Sequence, residues 1–305
     1  MRNKFADIIY EMGSKNENIC ALVADISPAG SIAKFREKFP KRFINCGVAE
    51  QSMIGIAAGM ALRGMRPFCY TIAAFALYRP FEMIRVDLCY QNLPVTIIGM
   101  GAGVIYSTLG GTHQAMEDIS IAASIPNMTV LAPCDPAEMK EAIEWCATKS
   151  NGPVYLRLGK VGEPNITMNV KDKFKIGKIR YLQKGKDIAI VSYGINVNLA
   201  LNIAKSLEKK GKKTSVVSCH TLKPLDYEGL KNLLASHNKV FVIEEHVPHG
   251  GLSSRLKELS IDSGLFKKIT SFTLQDKFIH FYGSHDQLLE KHGISEKIIL
   301  DKIIK

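Results

Sequence analysis

Short apolar runs alternate along the chain with stretches whose apolar residues recur every three or four positions. The runs at 18–23, 43–46, 66–72, 94–100, 129–132 and 154–158 predict buried strands. Helical spacing occupies 81–91, with Phe81, Ile84 and Leu88 on one face, and also 116–123 and 136–149. The Gly/Ala-rich stretch 50–63 predicts a closely packed helix. A second series follows, with strands at 187–193, 213–219 and 239–244 and helices at 197–209, 226–235 and 251–259. This βαβ rhythm predicts an α/β fold of two doubly wound domains. Between them, 160–174 holds Gly, Pro, Asn and Lys without periodicity. The expected division is a first domain over 1–165, a linker over 166–178 and a smaller domain over 179–305.

Composition narrows the possibilities. The 305 residues, 46% of them hydrophobic, suffice for two real cores. No apolar run approaches the roughly 20 residues of a membrane span. The first 18 residues hold no apolar segment of the secretory kind. The seven cysteines never form a CxxC pair, a pattern that suits reduced thiols in the cytoplasm and neither a disulfide framework nor a zinc site. The net charge of +11 comes from lysines spread over the chain. No aromatic residues interleave with them as a stacking platform for nucleic acid requires, so they read as a solvated surface. A basic chain also suits a small anionic ligand.

Gly99-Met-Gly-Ala-Gly103 follows a strand, but Val104 stands where a dinucleotide fingerprint has its third glycine. These glycines read as places where the backbone passes close to a ligand or a neighbouring strand. Glu50, at the entry to the Gly/Ala helix, would by itself be a cap that favours the helix dipole. It stands instead within Gly47-Val-Ala-Glu-Gln-Ser-Met-Ile-Gly-Ile-Ala-Ala-Gly-Met-Ala-Leu62. Gly110-Gly-Thr-His-Gln-Ala-Met-Glu-Asp118, Asn127-Met-Thr-Val-Leu-Ala-Pro-Cys-Asp-Pro-Ala-Glu138, Thr221-Leu-Lys-Pro-Leu-Asp226 and Glu244-Glu-His-Val-Pro-His-Gly-Gly251 follow in order.

With these segments in this order and spacing, almost the whole chain resembles the C-terminal half of transketolase, a pyrimidine-binding domain followed by the transketolase C-terminal domain. Deoxyxylulose phosphate synthases and the beta subunits of 2-oxo acid dehydrogenases are similar relatives, and Thr112-His-Gln leans towards the first two groups. The resemblance implies thiamine diphosphate as cofactor. The cofactor's own aminopyrimidine removes the thiazolium proton once a buried carboxyl group hydrogen-bonds the opposite ring nitrogen, and Glu50 matches that carboxyl. Phe75 matches the aromatic that stacks on the aminopyrimidine, with Tyr78 and Phe81 as alternatives. Counting back from Leu93-Pro-Val, Arg79 falls in the family register, and it is grouped with Tyr78 among the cofactor-binding residues. His113 matches a histidine near the reacting centre that can hydrogen-bond the sugar and move protons. Asp25, at a strand end, matches an acidic position beside the cofactor.

The departures carry as much meaning. No Gly-Asp-Gly occurs in the chain, although the family holds the cofactor's diphosphate through that motif and Mg²⁺. The expectation is a split enzyme whose N-terminal subunit, the diphosphate-binding domain with its Mg²⁺, is a separate polypeptide, in a heterotetramer of two pairs. No metal ligand is assigned to this chain. Leu109 stands where an acidic residue normally reads a sugar hydroxyl. Lys160 replaces a phosphate-gripping arginine, keeping the charge without the bidentate fork. Arg157 and Arg2 are further candidates for the substrate's phosphate. The resemblance implies transfer of a two-carbon ketol unit from ketose to aldose, and these changes point away from the common sugar phosphates to a less phosphorylated, deoxy or otherwise modified sugar. The alternatives are a deoxyxylulose phosphate synthase-like or dehydrogenase beta-like subunit, or a non-catalytic subunit that has kept the fold.

Overall fold

A computed structural model describes residues 1–26, 32–160 and 162–305. Its strands are β1 (Ile19–Val23), β2 (Phe43–Asn45), β3 (Arg66–Ile72), β4 (Thr96–Met100), β5 (Thr129–Leu131), β6 (Val154–Leu158), β7 (Arg180–Gln183), β8 (Ile188–Ser192), β9 (Thr214–Ser218), β10 (Thr221–Lys223), β11 (Lys239–Ile243) and β12 (Ile269–Phe272). Among the described residues they form two sheets, ordered β10-β5-β6-β4-β3-β1-β2 and β12-β11-β8-β9-β7. Pairing is parallel except where β10 meets β5 and β7 meets β9. The doubly wound α/β reading therefore holds for both sheets.

The period of two along each strand sorts the cores. In β1, Cys20 and Leu22 face a middle layer, while Ile19, Ala21 and Val23 face an outer one. The outer layer is closed by the helices Arg2–Lys15 and Pro136–Thr148. Ala189, Val191, Val217, Val240 and Val242 of the second sheet enter the same middle layer as Cys20 and Leu22. The helices Glu50–Leu62, Asp118–Ser124, Tyr227–Ser236 and Leu252–Asp262 fill it. The far side of the second sheet is covered by Asn196–Glu208, His285–Lys291 and Glu296–Ile304. One apolar layer is thus shared by both halves of the chain.

Several elements differ from the expectation, among them β7, β12 and the helices His285–Lys291 and Glu296–Ile304, which the sequence pattern does not mark. Strand β10 comes from the second half yet completes the edge of the first sheet, pairing antiparallel with β5. The helix expected over 81–91 is one α-turn, Phe81–Met83, followed by the π-helix Ile84–Tyr90. The wider π turn lets Ile84, Leu88 and Cys89, spaced four and one apart, all be buried. The helix Arg2–Lys15 has no counterpart in the sequence reading, although Phe5, Ile8, Ile9 and Met12 form its buried stripe. Among the described residues no helix is long and apolar enough to cross a membrane, and all seven cysteines are free thiols.

Candidate active site

The candidate residues gather where the first sheet's parallel strands end at their carboxyl side, the place where open α/β sheets bind ligands. Asp25 follows β1, and the chain leading to Glu50 follows β2. Phe75 and Arg79 follow β3, His113 follows β4 and Lys160 follows β6. Asn45 fixes the first two loops together, its side-chain oxygen accepting from the amides of Asp25 and Gly47, both at 3.1 Å.

Glu50 opens the helix Glu50–Leu62 and is 2% exposed. Its Oε2 accepts a hydrogen bond from Arg79 Nη1 at 3.1 Å. The Arg79 guanidinium lies 4.4 Å from the centre of the Phe75 ring. Phe75 sits on the short helix Ala73–Leu77 and meets the His113 ring edge-on, with centroids 5.1 Å apart. Tyr106 follows at 6.2 Å from His113. The ammonium of Lys160 stands 4.9 Å from the Tyr106 ring. The Lys160 carbonyl accepts the Arg2 amide at 3.1 Å. The Arg2 Nε is buried without a partner. A continuous line therefore runs from a buried carboxylate, past an aromatic face and an imidazole, to two cations.

The other candidates lie off this line. Tyr78 is half-buried, its hydroxyl hidden without a hydrogen-bond partner. Burial and the carboxylates of Asp118 and Glu117 push its phenol up. Phe81 packs against the middle core. Arg157 is buried within the protein, Nε donating to Asp118 Oδ2 and Nη2 to the Glu245 carbonyl, both at 2.9 Å. The structure does not bring Arg157 to the group around His113, because both donors are already engaged by its own chain. Asp25 is exposed, at a φ of +45°.

The loop after β4 explains its glycines. A Cβ at Gly99, Gly101 or Gly103 would lie 2.4, 2.3 and 2.4 Å from atoms of Tyr155, Tyr106 and Glu245 respectively. The close approach is thus to side chains of the same molecule. Tyr106 escaped the sequence reading, although its position between Gly103 and the Gly-Gly-Thr-His stretch, next to Leu109, marks it as part of the same loop. Burial, partly offset by Arg2, raises its phenol above the ordinary value.

The Glu50–Phe75 slot fits the pyrimidine ring that the fold family implies. It already holds a planar group that lies 4.4 Å from the Phe75 ring centre and donates an N–H to the carboxylate, in the form of Arg79. A ring nitrogen bearing a proton presents the same chemistry.

Comparison with known proteins places the fold in a family. Residues 1–162 match the transketolase pyrimidine-binding domain, and 177–299 match the transketolase C-terminal domain. A transketolase C-terminal section from Methanocaldococcus jannaschii is 36% identical over 306 residues, covering 100% of this chain and 95% of that protein. A 6-deoxy-6-sulfo-D-fructose transketolase subunit from Clostridium sp. strain MSTE9 is 34% identical, over 98% of this chain and 92% of its own length. A solved split-gene transketolase, described as an inactive β4 tetramer, superposes with a TM-score of 0.87 at 35% identity, covering 99% of this chain and 96% of its own. The chain belongs to the transketolase family, and carries its pyrimidine-binding and C-terminal domains in that order.

Proposed function

We propose that this chain is the pyrimidine-side subunit of a thiamine-diphosphate-dependent transketolase that moves a two-carbon ketol unit from a ketose to an aldose. The observation that carries the reading is the slot in which Glu50 and Phe75 hold a planar N–H donor. When bound, thiamine diphosphate supplies the carbanion and electron sink of the reaction. Glu50 holds the ring through one buried hydrogen bond and keeps a proton at the ring nitrogen. Phe75 offers its face, and Arg79 gives up its place to the ring. His113 meets the sugar and carries protons at its imidazole.

Specificity follows from the cationic end. Arg2 and Lys160 take the anionic terminus of the sugar, with Tyr106 between them and His113. Leu109, 47% exposed, offers a sugar hydroxyl no partner. Burying that hydroxyl against it costs about 1–3 kcal/mol. A deoxy or otherwise modified ketose with an anionic end suits such a site. The Clostridium relative is named for a sugar of this chemistry.

The diphosphate and Mg²⁺ belong, in this reading, to an N-terminal partner subunit, with two pairs forming a heterotetramer in the cytoplasm. Its docking face is supported by the exposed side of the helix Glu50–Leu62. There Ile56 and Leu62 face outwards and a Cβ at Gly55 or Gly59 would meet nothing within 4 Å. Val48 and Tyr90 extend this apolar surface.

Calorimetry tests the reading. Thiamine diphosphate with Mg²⁺ should bind the isolated chain weakly and the reconstituted pair at micromolar concentration or better. Charge-assisted diphosphate contacts supply affinity that stacking and one hydrogen bond cannot. The pair should transfer ketol units from a deoxy or sulfonated ketose better than from xylulose phosphate. Micromolar binding or transfer by this chain alone would overturn the split reading. Condensation from pyruvate without a ketose donor would move the assignment to the deoxyxylulose phosphate synthase type.

A further inference from the structure

The loop that carries His113 is walled from behind by the second half of the chain. Glu245, two residues past the end of β11, is fully buried, and its Oε1 accepts the Val104 amide at 2.6 Å. The same oxygen lies 2.9 Å from His285 Nε2. Gly103, at a φ of +69°, brings its backbone so close that a Cβ there would meet this carboxylate at 2.4 Å. Gly103 then exchanges two hydrogen bonds with Ala115, at 2.8 and 2.9 Å, closing the loop two residues past His113. Two further contacts tie the loop to the second half. Ser107 Oγ donates to the Gly283 carbonyl at 2.7 Å, and Phe278 packs over Gly111.

A buried carboxylate is costly, several kcal/mol of desolvation before any partner is counted. Packing alone would be served as well by an apolar side chain. What the charge adds is a short, strong, directional bond to one backbone amide, and so one conformation of the loop. Both contacts fall on Oε1, while Oε2 is buried without a hydrogen-bond partner. Burial works against the charge of Glu245, but His285 and Arg157 outweigh it and hold the carboxyl below its ordinary value.

We propose that Glu245 is a positioning residue that acts from the C-terminal domain, through the Val104 amide and the Gly103–Ala115 pair, to set His113 against Phe75. His113's part in the reaction rests on the function proposed above, whereas the fixing of the loop does not. The C-terminal domain is then a working part of the active site although none of its side chains stands on the line from Glu50 to Arg2.

The test uses the reconstituted two-subunit enzyme with thiamine diphosphate and Mg²⁺. Glu245→Ala should lower kcat by roughly 10–100-fold, the scale of a small misplacement of a reacting group, and leave the cofactor's Kd within about twofold. Glu245→Gln still accepts the Val104 amide but without the charge, and should recover part of kcat. Hydrogen exchange read by mass spectrometry should show lost protection over 101–115 in the alanine variant only, with 50–62 unchanged. If the alanine variant does not fold, His285→Gln takes its place, with the same local loss of protection and a smaller fall in kcat. Unchanged kcat and unchanged exchange over 101–115 would overturn the proposal. So would equal losses in the alanine and glutamine variants accompanied by loss of cofactor binding, which would make Glu245 a folding residue. An inactive wild-type pair would sink the proposed function and leave the exchange result to decide the role of Glu245.

Discussion

The Arg79 guanidinium sits on Phe75 and donates to Glu50, so the carboxylate is satisfied before any cofactor arrives. This matters because a buried carboxylate without a partner is among the most costly arrangements a protein can hold. Replacing Glu50 by Gln removes the acid function at almost constant volume and still leaves an acceptor for Arg79. The fold should therefore survive, with an unchanged circular dichroism spectrum and a melting temperature close to that of the wild type. Turnover in the reconstituted pair should fall by about 10²–10⁴-fold or more. A variant that keeps more than half of wild-type kcat would remove Glu50 from the chemistry. Glu50 and His113 are legible in the sequence because each lies inside a contiguous motif. The engagement of Arg157 is not legible, because its partners, Asp118 and Glu245, are 39 and 88 residues away.

At the scale of elements, the pair formed by Glu245 and His285 spans β11 and the helix His285–Lys291. Burial lowers the proton affinity of His285, but Glu245 outweighs it and raises the imidazole above its ordinary value. A raised folded-state value gives stability that is complete below the unfolded value of about 6.5 and is lost as pH rises through the folded one. Glu245 is shifted the other way, so its contribution is present above the ordinary carboxylate range and lost in acid. His220 adds to the acid side. Burial, helped by Arg180, depresses it to about 3, so below about 6.5 the unfolded chain takes up a proton that the folded chain refuses. Each such proton costs the folded state about 1.4 kcal/mol per pH unit. Thermal stability should peak near neutrality. His285→Gln should lower the melting temperature at about pH 6, with the difference narrowing towards about pH 9. A difference that stays constant over that range would count against the ion pair. Nine of the twelve strands are legible to within two residues, because a strand buried on both faces is a run of apolar residues whatever its neighbours, whereas β7, β10 and β12 carry no such run. The helix Arg2–Lys15 was not read. Its apolar stripe is narrow and set among Lys4, Asp7, Glu11 and Lys15. The π-helix was not readable either, since a helical stripe of three buried residues does not reveal its pitch.

At the scale of the whole molecule, the two halves share the apolar layer that holds Leu22, Ile97 and Ile119 from one and Val191, Leu222 and Leu256 from the other. The sequence marks a change of composition near residue 160, and a boundary there is the natural inference. What it does not mark is β10, three residues ahead of a proline with no apolar run, which become a strand only by pairing with β5. That strand limits where the polypeptide can be divided. A fragment ending at residue 165 would leave the β5 edge open and uncover the layer normally closed by Leu222, Leu225 and the helices Tyr227–Ser236 and Leu252–Asp262. An open apolar edge is a template for pairing with other chains. Expressed alone, such a fragment should collect in the insoluble fraction, and adding residues 166–305 as a separate chain during refolding should bring it back into solution. Under brief proteolysis, cleavage between 162 and 176 should leave both pieces migrating as one particle until denaturant is added, because the seam between them is a sheet and a core, where a hinge would have let them part.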